Sequence, residues 1–160
     1  MADASFDVVT AQNSMQFAED HVAALRRAKR LLIPGGKFCI GMWSEPERND
    51  MTAAFDAMME LAPPPGGNPP ASLSSKDNLL SVLREAGFEP GEAIEVSVPF
   101  NYSSMEEAIR GVRAAGIAEM VAQKAGEDAL RDALAQAFKP FVAKDGTVNL
   151  DNRMRCVVCT

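Results

Sequence analysis

The chain has 160 residues, of which 47% are hydrophobic and 24% charged, the composition of an ordinary globular protein long enough to bury a core. No segment approaches the roughly 18 uncharged apolar residues that a bilayer span requires. The first residues have no basic segment followed by an apolar run, so we expect no secretory signal, no membrane partner and a cytoplasmic location. The net charge of −6 argues against nucleic-acid binding, because phosphate recognition needs a basic excess.

One basic cluster departs from this acidic average. It contains Arg26, Arg27, Lys29 and Arg30, in the last turns of a predicted helix, where cations complement the helix dipole. The cluster is therefore interpreted either as a solvated helix end or as a nucleic-acid patch, and the first interpretation is favoured.

Three cysteines are present, and two of them form a C-x-x-C motif, Cys156 and Cys159. Such a motif can be a redox pair or half of a zinc site. Here it lies on a predicted strand, where residues three apart point to opposite faces, so the two thiols should not converge. Together with Cys39 they are interpreted as small buried hydrophobes, and we expect no metal site.

The first part of the chain has a strand–helix–strand pattern. Residues 6–11 (FDVVTA) form an apolar, β-branched run that predicts a buried parallel strand. Asp20 can cap a helix extending to about Lys29. Pro34, Gly35 and Gly36 should end that helix, and residues 37–43 (KFCIGMW) predict a second buried strand. The pattern is a βαβ unit.

The middle of the chain should be helical on both sides of a loop. Apolar residues recur at helical spacing over 51–61, a segment rich in methionine. Residues 62–71 (APPPGGNPPA) can form neither a helix nor a central strand, so they are predicted to be a loop or hinge. The next helix should start at Ser74 or Ser75 and end at Gly87.

The last part predicts a strand, two helical regions and a closing strand. Ile94, Val96 and Val98 alternate with Glu95 and Ser97, as in a strand with one wet face. Ser104 and Glu107 form a capping box that predicts a helix extending toward Ala115. A second helix is predicted over 127–142, a turn at Asp145-Gly146, and a strand over 153–160. We expect residues 1–160 to form a single domain.

Two segments, at this spacing, carry a resemblance to a known family. FDVVTAQNSMQFAED (6–20) and LRRAKRLLIPGGKFCIGMW (25–43) resemble the fourth strand, the following helix and the fifth strand of class I S-adenosylmethionine-dependent methyltransferases. The L-x-P-G-G-x-F turn of that family matches Leu32, Pro34, Gly35, Gly36 and Phe38. The segment AGFEP (86–90) resembles the turn before the family's sixth strand.

The resemblance implies an α/β fold: a partial Rossmann-like methyltransferase sheet, mixed, of about four strands with the last one antiparallel, and with added helices. Residues 48–74 and 103–145 would be helical or loop additions over the substrate side. The cofactor would be S-adenosylmethionine and the other partner a small-molecule substrate. The resemblance implies cofactor-binding roles for Thr10, Ala11, Gln12 and Gln16, and substrate contacts for Met15, Phe17 and Trp43. The catalytic residues are left unknown by this resemblance.

For several of these residues a plainer interpretation stays open. The aromatic side chains of Phe17 and Trp43 could simply pack in the core, and Phe17 could pack against the helix that Asp20 caps. Gln12 and Asn13 could belong to an ordinary polar loop between a strand and a helix. The methionine-rich segment at 51–61 suggests a small, apolar acceptor, because methionine adapts to irregular apolar shapes.

One family feature is missing from the sequence. The resemblance implies a glycine-rich G-x-G turn after the first strand of the complete fold, where the backbone approaches the cofactor, but the 160 residues contain no G-x-G. We therefore expect the C-terminal half of a methyltransferase, with weak or no cofactor binding by itself. Strand 6–11 should then be an exposed edge that self-associates or pairs with an N-terminal half.

Three functions are left open. The favoured one is a fragment of a small-molecule methyltransferase that is inactive alone. The first alternative is an active enzyme, and the second is a non-catalytic binding or assembly module that docks through its open sheet edge. A hydrolase or a dehydrogenase is disfavoured, because the sequence has neither a G-x-S-x-G elbow nor a dinucleotide fingerprint.

Overall fold

A computed structural model describes residues 2–63 and 73–160. The predicted proline- and glycine-rich loop at 62–71 lies mostly outside the described residues. In chain order the elements are β1 (Phe6–Gln12), α1 (His21–Leu31), β2 (Leu32–Trp43), α2 (Thr52–Leu61), α3 (Lys76–Glu85), β3 (Pro90–Ser97), β4 (Phe100–Tyr102), α4 (Met105–Arg113), α5 (Gly116–Ala125), α6 (Glu127–Phe138), β5 (Val148–Leu150) and β6 (Arg153–Cys159).

The described residues divide into two compact units. Unit 1 comprises residues 2–48, 73–97 and 153–160, and unit 2 comprises residues 49–63 and 98–152. Unit 1 holds the four long strands, while unit 2 is mainly helical. The prediction of a single domain stays a prediction.

Unit 1 is built on a mixed sheet with the strand order β1-β2-β6-β3. β1 and β2 are parallel, whereas β6 runs antiparallel to both β2 and β3. The predicted α/β architecture, with four strands and an antiparallel last strand, is confirmed. Because β6 lies between β2 and β3, the last strand in sequence is a central strand of the sheet.

One face of this sheet, called here the covered face, packs against α1 and α3. Its strand residues include Phe38 and Ile40 on β2 and Val157 on β6, all fully buried. Leu25 of α1 and Leu83 of α3 complete this core. The ring of Phe38 stacks on that of Phe88, with 4.8 Å between centroids. The core therefore depends on two helices and one sheet face.

The other face of the sheet, called here the open face, carries apolar side chains in contact with solvent. Val8, Ile94 and Val158 are 55%, 51% and 52% exposed. Register and strand alternation place the following residues on it: Val8, Thr10 and Gln12 of β1; Lys37, Cys39, Gly41 and Trp43 of β2; Met154, Cys156 and Val158 of β6; Ile94 and Val96 of β3.

Strand β3 reverses the orientation that its sequence suggests. Ile94 and Val96 are exposed, whereas Glu95 points to the covered face and binds Arg155. The expectation that the apolar residues of this strand face the core is wrong. The physical reason is the arginine on β6, directly opposite Glu95 in the register, because a buried cation requires a paired anion.

The turn at Pro34–Gly36 also differs from its prediction. Helix α1 ends at Leu31, and β2 already begins at Leu32. Gly35 has a positive φ of 82°, and the pairing of β1 with β2 shifts register between Phe6 and Val8. The proline–glycine segment is therefore an irregularity within the first half of β2 rather than a turn before it.

Two of the predicted helix ends are formed by the expected backbone chemistry. The Oδ1 of Asp20 accepts a hydrogen bond from the Ala23 amide at 2.9 Å, which caps α1. Gly87 has a φ of 91°, and the Phe88 amide donates to the Leu83 carbonyl, the pattern of a glycine-terminated helix. Ser75 precedes α3, but its side chain makes no capping hydrogen bond.

Unit 2 packs four helices and a short two-stranded sheet around its own core. Met58 of α2, Leu130, Leu134 and Phe138 of α6, and Val121 of α5 are fully buried or nearly so. Helix α5 and the sheet of β4 with β5 were not predicted from the sequence. These two strands have three residues each, too few to reveal a period of two.

The packing of unit 1 predicts that two phenylalanine-to-alanine substitutions differ greatly in their effect on stability. Phe38→Ala should lower the free energy of unfolding by about 3–5 kcal/mol, because it empties a buried site beside Phe88. Phe17→Ala, at a side chain that is 74% exposed, should change it by less than about 0.5 kcal/mol. Urea unfolding monitored by circular dichroism measures both, and equal effects would contradict this description of the core.

Candidate functional site

The candidate site lies where the parallel strands β1 and β2 end. Carboxyl ends of neighbouring parallel strands share one edge of a sheet, which is the usual ligand-binding edge in α/β folds. Gln12 closes β1 directly beside Gly41 of β2, and Trp43 closes β2 two residues further on. The structure thus brings Gln12 and Trp43 to one edge of the sheet.

Gln12 lies flat across the open face. Its Nε2 donates to the Sδ of Met154 on β6 at 3.3 Å, so the side chain reaches from β1 over β2. Gly41 permits this, because a Cβ on Gly41 would overlap the Gln12 amide. The glycine therefore makes room for a polar side chain on an otherwise apolar surface.

Asn13 follows with a strained backbone. Its φ is 44°, which costs a residue other than glycine about 1 kcal/mol. The amide of Asn13 donates to the carbonyl of Gly41 at 2.9 Å, which ties the strained residue to β2. Strain of this kind occurs often at ligand sites.

The segment after β1 also holds buried polar atoms without a hydrogen-bond partner. They are the Oδ1 of Asn13, the Oε1 of Gln16 and the Nε2 of His21. An unpaired buried polar atom costs about 1–3 kcal/mol, so each requires an explanation. Together with the strain at Asn13, they mark this loop as the candidate ligand-binding segment of unit 1.

The remaining predicted site residues differ in how exposed their side chains are. Thr10 is exposed on the open face, whereas Ala11 is buried in the core, so only the backbone of Ala11 is available to a ligand. Met15 packs partly against that core. Phe17 is exposed, which rules out the interpretation of Phe17 as a core residue. Trp43 is half-buried.

A buried arginine organises the sheet edge just beyond β2. Arg155 is 3% exposed. Its guanidinium donates to Glu45 and Glu95, both at 2.7 Å, and to the carbonyl of Ser74 at 2.5 Å. Ser44 donates to the same Glu95 oxygen at 2.9 Å. One cation therefore links the end of β2, β3, β6 and the residues before α3.

Glu45 is the most strongly perturbed carboxylate of this cluster. The hydrogen bond from Arg155 lowers the pKa of Glu45 to about 2, and the backbone amide of Lys76 contributes in the same direction. Glu45 thus stays ionised across the physiological range. The charged cluster of Arg155, Glu45 and Glu95 therefore holds the residues that follow β2 in place.

Of the cysteines, only Cys159 is buried, while Cys39 and Cys156 are half-buried. Cys156 lies on the open face and Cys159 in the core, so the two thiols of the C-x-x-C do not converge, as expected. The interpretation of all three cysteines as buried is wrong for two of them. Within residues 2–63 and 73–160, no three His, Cys, Asp or Glu side chains cluster as metal ligands would.

Comparisons with known proteins show which proteins this chain is similar to. A family model described as a methyltransferase domain matches residues 1–40. The 27-O-demethylrifamycin SV methyltransferase of Amycolatopsis mediterranei strain S699 is 35% identical over 96 residues, 59% of this chain and 34% of its own length. The first 40 residues of the chain are therefore similar to a methyltransferase domain.

Solved structures share the fold of this chain. A candidate methyltransferase of Bacillus halodurans C-125 has a TM-score of 0.57 and 17% identity, over 99% of this chain and 65% of its own. The YcgJ protein of Bacillus subtilis gives 0.56 and 17% over the same shares. The chain thus spans about a third of the curated relative and 65% of these structures.

Among the described residues, none of the helices combines the length and apolar character needed to cross a bilayer.

Sequence reasoning missed two polar residues of unit 1, namely the buried Arg155 and His21, whose Nε2 is buried without a hydrogen-bond partner among the described residues. For Arg155 a signal existed, because an arginine in the apolar strand RMRCVVC implies a buried partner. For His21 no signal stands out.

The depressed pKa of Glu45 predicts a pH dependence of stability. Because the folded pKa lies below the usual value of 4.5, the ion pair stabilises the protein fully above about pH 4.5, and this contribution is lost as the pH falls toward 2. In thermal melts at fixed ionic strength, the melting temperature of Glu45→Gln should fall less than that of the wild type between pH 5 and pH 2.

Arg155→Met should reduce this pH dependence in the same way. If both variants showed the wild-type dependence of melting temperature on pH, the Glu45–Arg155 pair would not be its cause.

Proposed function

We propose that this chain is part of a small-molecule methyltransferase and that the loop after β1 contributes to the methyl-donor site. The supporting observation is the combination of backbone strain at Asn13 with unpaired buried acceptors on Asn13 and Gln16. A bound ligand that donates hydrogen bonds would satisfy them. S-adenosylmethionine has such a donor, the ammonium of its methionine end.

The donor-site residues have distinct proposed roles. S-adenosylmethionine supplies a methyl group on a sulfonium, so the protein's contribution is to position it rather than to provide acid–base chemistry. Gln16 and Asn13 would accept hydrogen bonds from the donor, Ala11 would offer its backbone, and Thr10 and Gln12 would line the open face beside it. Gly41 keeps Gln12 flat on the sheet.

We further propose a small, apolar acceptor. Met15, Phe17 and Trp43 would border it, and the exposure of Phe17 supports a contact with something outside the core. A full-length homologue that methylates only charged macromolecules would contradict this proposal.

The chain alone is proposed to bind the donor weakly, because its contacts come from one strand end and one loop. Calorimetry with S-adenosylmethionine should give no dissociation constant in the micromolar range. At millimolar S-adenosylhomocysteine, amide NMR shifts should concentrate in residues 10–16. Gln16→Ala should diminish these shifts, whereas Gln136→Ala, at an exposed glutamine of unit 2, should leave them unchanged.

The outcomes separate the competing functions. Micromolar affinity would favour the alternative of an enzyme that is active with the residues present. Shifts scattered over both units, or insensitive to Gln16→Ala, would contradict the assignment of the donor loop.

The alternative of an assembly module is favoured by a separate observation, the exposed edge strand. β1 pairs on one side with β2, and Phe6 and Val8 of this edge are exposed. Apolar edge strands pair with further strands unless charge or proline blocks them. We therefore propose that residues 6–11 bind a second copy of this chain or an N-terminal half of the same fold.

Val8→Lys should weaken this association, because a charged side chain on an edge strand opposes pairing. Multi-angle light scattering at rising concentration should show the wild-type chain growing beyond a monomer and the variant shifted toward the monomer. Phe55→Lys, at a similarly exposed apolar residue of unit 2, should behave like the wild type. A wild-type chain that stays monomeric at high concentration would contradict this proposal.

A further inference from the structure

Trp43 ends β2 on the open face, beside residues that are proposed to line the methyl-donor site. In the register it lies directly opposite Met154 of β6, and the Met154 sulfur accepts a hydrogen bond from Gln12 at 3.3 Å. Cross-strand neighbours on one face have Cβ atoms about 4.5–5.5 Å apart. Met154 therefore lies between Gln12, on the proposed donor side, and Trp43, on the proposed acceptor side.

The residue after Trp43 is anchored on the covered face of the sheet. Ser44 is 2% exposed. Its backbone amide donates to the carbonyl of Arg153 on β6 at 2.9 Å, and its hydroxyl donates to Oε1 of Glu95 on β3 at 2.9 Å. Neighbouring residues of a strand point to opposite faces. An anchor that fixes Ser44 toward the covered face therefore fixes Trp43 toward the open face.

Glu95 is itself held by two arginines. The Oε1 that accepts from Ser44 also accepts from the buried Arg155 at 2.7 Å, and the Oε2 pairs with Arg48 at 2.7 Å. Arg48 ends a short 3-10 helix, Pro46–Arg48, that follows β2. The chain after β2 is thus tied to Glu95 at two points. Because hydrogen bonds to charged groups are stronger than neutral ones, the Glu95 carboxylate is a firm anchor for the Ser44 hydroxyl.

We propose that Ser44 and Glu95 are positioning residues that hold the Trp43 side chain on the open face, as one side of the acceptor site. This inference rests on the proposed function, in which Trp43 borders a small, apolar acceptor. A slip of one residue exchanges the two faces of a strand, and here it would put a polar serine in the place of the tryptophan. Neither positioning residue would touch the acceptor, because both side chains lie on the covered face.

The chain has a single tryptophan, so its indole fluorescence reports on Trp43 alone. Because the loss of one hydrogen bond changes a local equilibrium by roughly fivefold, acrylamide should quench Ser44→Ala more strongly than the wild type, by up to about that factor. Glu95→Gln should act in the same direction, since a neutral amide holds the two arginines less tightly. Ser44→Thr keeps the hydroxyl and should resemble the wild type, as should the control Ser81→Ala, at an exposed serine of α3.

A second measurement separates this inference from the proposed function. The indole N–H of Trp43 gives one recognisable NMR signal, and millimolar cyclohexanol, a small apolar alcohol, is the probe. The signal should shift in the wild type and in Ser44→Thr, and it should shift less in Ser44→Ala. If quenching changes as expected but cyclohexanol shifts the signal in no protein, the positioning of Trp43 is supported and its acceptor role is contradicted. If Ser44→Ala and Glu95→Gln are folded by circular dichroism and are both quenched like the wild type, the inference is overturned.

Discussion

The structure of unit 1 depends on one constraint: helices cover only one face of its sheet. Phe38, Ile40 and Val157 are buried on one face under α1 and α3, while Val8, Ile94 and Val158 are in contact with solvent on the other. Burial of apolar area is the main favourable contribution to folding, so the stability of this unit comes from one layer of helices. The uncovered layer is available for contacts with other molecules.

Arg155 shows how the covered face accommodates a charge. A buried guanidinium is costly unless its donors are paired, and here Glu45, Glu95 and the Ser74 carbonyl accept from its two terminal nitrogens, while its Nε has no partner among the described residues. This pairing sets which face of β3 is covered and holds the residues before α3 beside the end of β2. The edge where β1 and β2 end thus lies between this charged cluster and the strained Asn13 loop.

Much of the fold could be predicted from the sequence where local chemistry is strong. The Asp20 cap, the Gly87 helix end and the parallel pairing of 6–11 with 37–43 follow from capping and periodicity. The orientation of β3 could not be predicted, because it depends on an arginine sixty residues away from Glu95. The short strands β4 and β5 have too few residues for a period to emerge.

The site was predicted less completely than the fold. Gln12 and Trp43 do meet at one edge, since parallel strands align their carboxyl ends. The left-handed backbone of Asn13 and the unpaired atoms around it depend on contacts with neighbouring strands and helices, which a single sequence does not reveal. Cys156 lies on the same face of the sheet as Cys39, whereas Cys159, its partner in the C-x-x-C motif, lies on the other face.

The central place of β6 has a consequence for biosynthesis. β3 touches the rest of the sheet only through β6, which contains residues 153–159. On the ribosome, β1, β2 and β3 emerge first and must wait for the last strand before the sheet can close, because non-local pairing cannot precede synthesis of its partner. Nascent chains of this protein therefore carry unpaired strand edges until translation nears residue 160, a period in which chaperone capture would matter most.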